Sequence, residues 1–128
     1  MRYFIKLAIM AASCVLFQLK NTSAQSAEDN CILKVNAEWS VPVGSCMDAN
    51  NSYKAYFVNT CTKTVDIKLA IQEKSMRWKT FNHLSIAPGD TVAGYACNGT
   101  GKYVTWFRPS GNKTITFPTD DEINRDYK

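Results

Sequence analysis

The chain has 128 residues, of which 45% are hydrophobic and 20% charged, and its formal net charge is +4. This length suits one small domain. The charge is too small for a nucleic-acid-binding profile, and the composition indicates no cofactor.

The N-terminal segment 1–24 has the layout of a secretory signal peptide. Arg2 and Lys6 precede an apolar run at 7–17, and a polar stretch with small residues then leads to a cleavage site before Gln25. The apolar run is shorter than the roughly 20 residues that a membrane-spanning helix needs. We therefore expect an exported protein, periplasmic or extracellular, with no membrane attachment after cleavage.

Cleavage of this segment changes the charge balance of the chain. It removes three bases and no acid, so the net charge falls from +4 to +1, with a basic body at 31–118 and an acidic tail at 119–128. A basic body of this size can steer an anionic partner. The alternative to cleavage before Gln25 is lipidation at Cys14, because Ala-Ala-Ser-Cys weakly resembles a bacterial lipobox.

Four cysteines lie beyond the signal segment: Cys31, Cys46, Cys61 and Cys97. An even number in an exported chain predicts two disulfides. No Cys-x-x-Cys pair is present, so a zinc site is not expected. Strand parity favours a Cys61–Cys97 bridge through the core, which leaves Cys31–Cys46, while the two other connectivities stay open.

The segment 64–72 is the best strand in the sequence. Apolar residues at 65, 67, 69 and 71 alternate with Asp66, Lys68, Ala70 and Gln72, which predicts one buried face and one solvent face. The apolar odd positions of the first strand likewise place Trp39 in the core. Seven strands are predicted in all, at 31–43, 53–59, 64–72, 78–86, 91–97, 102–108 and 113–117.

Turn-forming residues separate these strands, and no helical period occurs beyond the signal segment. This pattern predicts an all-β fold, a small antiparallel β-sandwich of about seven strands with two disulfides. The single domain is expected to span 25–118. The acidic tail 119–128 has few apolar anchors and is expected to be mostly disordered.

Catalytic patterns are weak. His83 is the only histidine, no nucleophile motif accompanies it, and Gly99 and Gly101 are typical of a β-turn rather than a phosphate loop. A small carboxylate-based hydrolase remains the least favoured function, and its acids are expected to be solvated surface charges. These acids are Glu38, Asp48, Asp66, Glu73 and Asp90.

The favoured function is a non-catalytic binding module for a protein partner. Lys74, Met76, Arg77 and Trp78 surround a predicted hairpin turn, where a large ring beside flexible cations can anchor an interface. An inhibitor of a hydrolase is one form of such a module, since it needs a rigid scaffold and one projecting loop.

The alternative function is carbohydrate or cell-wall binding. Lys102, Trp106 and Arg108 share one face of a predicted strand, and a basic-aromatic-basic row suits stacking on a sugar. The two hypotheses differ in an observable way. The first predicts that the Trp78 ring is exposed, and the second predicts that the Trp106 ring is exposed.

Overall fold

A computed structural model describes residues 31–128. The predicted signal segment 1–24, Cys14 and the start of the predicted domain lie outside the described residues. The elements in chain order are β1 (Ile32–Trp39), β2 (Tyr53–Asn59), β3 (Val65–Glu73), β4 (Trp78–Ile86), β5 (Thr91–Ala96), β6 (Gly99–Pro109) and α1 (Asp120–Asp126).

Two antiparallel three-stranded sheets form the fold. One has the order β1-β2-β5 and the other β4-β3-β6. The predicted all-β sandwich is therefore confirmed, with six strands among the described residues. The predicted strand at 113–117 is absent there, because this segment leaves the sheet after Pro109 and turns through Asn112, whose side chain accepts three hydrogen bonds.

The core lies between the sheets and is centred on β3. Ile67, Leu69 and Ile71 are fully buried, as the alternation of β3 predicts, and they pack with Phe57 of β2. The other face of β3 is buried too, which the sequence did not indicate. Asp66 and Lys68 lie on that face, where residues 110–126 cover them.

The expected disorder of 119–128 is wrong for most of that tail. Thr119 caps α1 in a capping box with Glu122, and the fully buried side chain of Ile123 anchors the helix to the sheet. Ile123 and Tyr127 both pack on the sheet, so the low apolar content of the tail was misleading.

The predicted disulfide connectivity is also wrong. The bridges are Cys31–Cys61 and Cys46–Cys97. Strand β1 pairs antiparallel with β2, so the start of β1 lies beside the residues that follow Asn59. The pairing of Tyr53 with Ala96 places Cys97 at the opposite end of the sandwich, out of reach of Cys61.

The prediction that Trp39 lies in the core is wrong, although its ring is on the inner face of β1, the face of Tyr53. A β-bulge interrupts the pairing between Lys34 and Asn36. It exchanges the two faces of the strand, so Lys34 opposes buried Phe57 before the bulge and Trp39 opposes Tyr53 after it. Because β1 is an edge strand, Trp39 stays 51% exposed.

Candidate functional site

The β3–β4 turn projects three of the four residues predicted to bind a partner. Lys74, Met76 and Arg77 are exposed. Met76 has a left-handed backbone, with φ +69°. Such a conformation is uncommon for a residue other than glycine, and among the described residues Ser40 and Ser85 share it.

Trp78, the fourth residue, is buried, at 8% exposure. Its indole Nε1 donates to the Tyr127 carbonyl at 2.9 Å, and its backbone N–H donates to the Asn124 side chain at 2.8 Å. The expectation of an exposed Trp78 is therefore wrong. The ring closes the space beneath α1, a helix that the sequence analysis did not predict.

The alternative row does not form an open platform either. Lys102 is exposed, but Trp106 is half-buried and lies edge-on to the Tyr127 ring at 5.5 Å. Arg108 bonds Asp66 at 3.2 Å and the Ile115 carbonyl at 2.7 Å. The Arg108 guanidinium is therefore already paired within the protein. The predicted row thus lacks both an exposed indole and a second available cation.

Three connections meet at one end of the sandwich. They are the loop 40–52, the β3–β4 turn 74–77 and the β5–β6 turn 97–98, and we name them together the loop end. The ends of β-sandwiches gather loops in this way, and binding residues concentrate on loops that a rigid scaffold positions.

Direct bonds fix these three segments to one another. The Cys46–Cys97 disulfide joins the first to the third. The Lys74 amide donates to the Asn98 carbonyl at 2.8 Å, and the Gly99 amide donates to the Asn51 carbonyl at 3.0 Å. The loop end therefore presents its side chains from a cross-linked backbone.

The structure adds a residue that sequence reasoning missed. Met47, next to the Cys46–Cys97 bridge, is fully exposed, and Met76 is 50% exposed. Two flexible, polarisable methionines in the same group of loops suit contact with an apolar partner surface. The signal in the sequence was only a methionine in a loop between turn residues, which does not by itself indicate binding.

The two cations of the loop end take part in no ion pair among the described residues. Among residues 31–128 the ion pairs are Lys68–Asp120, Arg108–Asp66 and Arg125–Asp126. Lys74 and Arg77 belong to none of them. Both cations are therefore available to an acidic partner.

Asp66 is a charged residue with a structural role on the covered outer face of β3. Its carboxylate accepts hydrogen bonds from the Ser85 amide at 3.0 Å and from Arg108. The Ser85 bond, together with the Arg108 bond, holds the pKa of Asp66 below its usual range despite the opposing effect of burial. Asp66 is thus buried, where the sequence analysis expected a solvated acid.

Two other residues considered for catalysis, Glu38 and His83, have hydrogen-bond partners within the fold. The Glu38 carboxylate accepts a hydrogen bond from the Tyr56 hydroxyl at 2.7 Å. The His83 Nε2 lies 3.0 Å from the carbonyl of Ala93, a residue in the middle of edge strand β5. Gly101 lies within β6, with φ +86°. No pair of carboxylates is held in a common cleft by these contacts.

Residues 31–128 contain no group of three or more His, Cys, Asp or Glu side chains that could hold a metal ion. No helix within that range has the length and apolar character needed to cross a membrane.

Comparisons with models of known protein families, with curated proteins and with solved structures give no match for this chain. The fold and the side chains at the loop end are therefore the basis for any functional assignment.

Proposed function

We propose that this chain is an exported, non-catalytic module that binds a protein partner through its loop end. The observation that carries the proposal is the cross-linked loop end with Met76 projecting from a strained turn. A surface fixed before binding loses little conformational entropy on association, which favours affinity.

The side chains of the loop end define the partner's surface. Met47 and Met76 offer apolar contact area, while Lys74 and Arg77 offer unpaired positive charge. A complementary partner has an apolar depression bordered by carboxylates. The cleft of an acidic hydrolase has this character, so hydrolase inhibition is the specific form of the proposal.

The buried state of Trp78 changes the residues that a test must alter. Replacing Trp78 would disturb the contacts beneath α1, so a loss of binding would not locate the interface. Lys74→Glu with Arg77→Glu instead reverses two exposed charges at the loop end. Lys63→Glu with Lys113→Glu makes the same charge change at exposed positions outside it.

The experiment is affinity capture from extracellular and periplasmic proteins, followed by binding of the purified partner. The native protein and the Lys63/Lys113 variant are expected to retain one partner that the Lys74/Arg77 variant releases. Equal retention by both variants would refute binding at the loop end. Recovery of no protein by the native chain would refute the protein-binding function itself.

A further inference from the structure

A second surface lies on the flank of the sandwich where the edge strands β1 and β6 face each other. Trp39 of β1 is 51% exposed and Tyr103 of β6 is 39% exposed. Lys34 approaches the same flank, with its Nζ 5.0 Å from the centre of the Tyr103 ring. We name Lys34, Trp39, Gly101, Lys102 and Tyr103 the aromatic seam.

Both exposed rings rest on buried rings. The Trp39 ring lies 4.6 Å from the ring of Tyr53, and the Tyr103 ring lies 5.1 Å from that of Phe57. Tyr53 is 2% exposed and Phe57 is fully buried. The outer rings are thus held in place by the core, and little side-chain entropy remains to be lost on binding.

Gly101 is required for this arrangement. Its φ is +86°, and a Cβ atom at this position would lie 3.2 Å from Cζ2 of Trp39. The glycine therefore allows the indole to lie directly against the backbone of β6. Close approach of this kind is a recognised use of glycine in a strand.

The charge of the seam is positive. Lys34 and Lys102 are exposed and belong to none of the ion pairs among the described residues. Glu38, the acid of β1, follows the bulge on the opposite face, where it bonds Tyr56. Both unpaired charges are therefore available to an anionic ligand.

Two features of β1 disfavour a protein strand as that ligand. The bulge between Lys34 and Asn36 interrupts the regular edge, and Lys34 points inward from it. Bulges and inward-pointing charges on edge strands are devices that prevent strand addition. A second copy of this chain is disfavoured too, because it would bring lysines against lysines.

We propose that the aromatic seam binds an acidic polysaccharide. The C–H face of a sugar ring packs on the fixed Trp39 indole, while carboxylate or sulfate groups along the chain pair with Lys34 and Lys102. This site adjoins the loop end at Trp39 but uses other side chains, and it does not depend on the protein-binding function. The binding is non-covalent, and its affinity falls as salt screens the lysines.

Tryptophan fluorescence tests the proposal directly, because Trp39 is the most exposed of the three indoles. The disulfide-intact protein is titrated with polygalacturonate and, separately, with dextran sulfate, and acrylamide quenching is followed. Either polyanion is expected to protect Trp39 from acrylamide. The arm that binds identifies the acidic group as carboxylate or sulfate.

Matched variants locate the binding. Trp39→Ala is expected to weaken it about tenfold or more, the cost of losing an anchoring aromatic residue. Leu84→Ala, which truncates an exposed apolar side chain of β4, is expected to leave affinity unchanged. Lys34→Gln keeps the fold and is expected to weaken binding, while Lys113→Gln, a distant exposed lysine, is not.

Other ligands and outcomes overturn the proposal. Equal binding of neutral dextran would remove the role of the lysines, and equal protection of Trp39 by poly-L-glutamate would favour an acidic protein. Absence of binding to both polyanions would refute the site. A Met76→Ala variant, which alters the loop end without a change of charge, is expected to bind the polyanion as the native chain does, and this separates the test from that of the loop end.

Discussion

At the scale of single residues, Met76 combines an unfavourable backbone conformation with an exposed side chain. Its left-handed backbone costs about 1 kcal/mol for any residue with a Cβ atom. Its side chain is 50% exposed, so packing within the protein offsets little of this cost. We infer that contact outside the protein, and not the fold, accounts for a methionine at this position. The proposed role is contact with the partner.

Met76→Gly is therefore expected to stabilise the protein, by roughly 0.5–1 kcal/mol, because glycine accepts φ +69° without steric cost. Urea unfolding measures the change in the free energy of unfolding. Met76→Ala, which keeps the Cβ atom, is the control and should not gain this stability. A clear destabilisation by Met76→Gly would mean that the side chain packs within the protein.

Asp66 is the matching case of a residue whose charge serves the fold. Asp66→Asn replaces an acceptor facing Ser85, Arg108 and Gly111 with an amide that also presents donors. Loss of one partner of a buried, hydrogen-bonded pair leads us to expect about 3 kcal/mol of destabilisation at neutral pH. Asp90→Asn, at an exposed turn, should change stability by less than about 0.5 kcal/mol.

The pH dependence of this variant follows from the lowered pKa of Asp66. A carboxyl whose pKa is lower in the folded state stabilises the protein above its unfolded pKa of about 3.9, and that contribution is lost as the pH falls through the folded value. The gap in stability between native and Asp66→Asn proteins should thus narrow on acidification below about pH 4. A gap that stays constant down to pH 2 would contradict this account.

At the scale of elements, α1 and the segment before it act as a cover for the outer face of β3. Lys68 donates to the Pro118 carbonyl and to Asp120, each at 2.8 Å, and the Lys68 bond, with that from Thr80, lowers the pKa of Asp120. Asn124 bonds the backbone N–H of Trp78, which lies at the start of edge strand β4. The cover thereby satisfies groups that a bare sheet would leave to solvent.

Ile123→Ala tests the cover. The side chain is fully buried, and truncation of a buried isoleucine to alanine costs about 2–5 kcal/mol. Denaturant unfolding should show this loss, and near-ultraviolet circular dichroism should report a changed environment at Trp78. Ile115→Ala, the same substitution at a 45% exposed position, should be almost neutral; equal effects of the two would show that α1 is not anchored by Ile123.

The elements also show why sequence reasoning succeeded in some places and failed in others. The alternation of β3 predicts its inner face correctly, because Ile67, Leu69 and Ile71 are large apolar side chains that are stable only in the core. Alternation in β1 fails at Leu33, which is 47% exposed, because the bulge near Lys34 leaves this odd position on the outer face, and a bulge has no signature in an apolar run. Trp39 is on the inner face as predicted, but it stays exposed because β1 is an edge strand, and alternation does not show which strands lie at an edge.

The failure at the candidate sites has a related cause. Trp78 and Trp106 do lie on the outer face, but no local pattern indicates that Ile123 brings a helix over them. Conversely, the exposed surfaces at Met47 and Trp39 depend on which segments meet in space. Local pattern does not contain that information.

At the scale of the whole molecule, the two disulfides serve opposite ends of the sandwich. Cys31–Cys61 closes the end away from the loop end, across a separation of 30 residues, and Cys46–Cys97 fixes the loop end across 51 residues. Removal of either is expected to cost about 2–5 kcal/mol. Only the second bridge contributes to the geometry of the proposed interface.

The paired variants Cys46→Ser, Cys97→Ser and Cys31→Ser, Cys61→Ser should thus lose comparable stability but differ in function. The first should bind the captured partner more weakly at a temperature where both are folded, and the second should bind it normally. Peptide mapping of the native protein, without reduction, should recover the 31–61 and 46–97 pairs. Recovery of a 61–97 pair would contradict the topology described above.

The most direct test of the central claim is the dissociation constant of the purified partner for Met76→Gly, measured by calorimetry beside its unfolding curve. The account predicts affinity at least about tenfold weaker, with stability equal to or above that of the native protein. Unchanged affinity in a stable variant would contradict the claim that the loop end binds the partner through Met76.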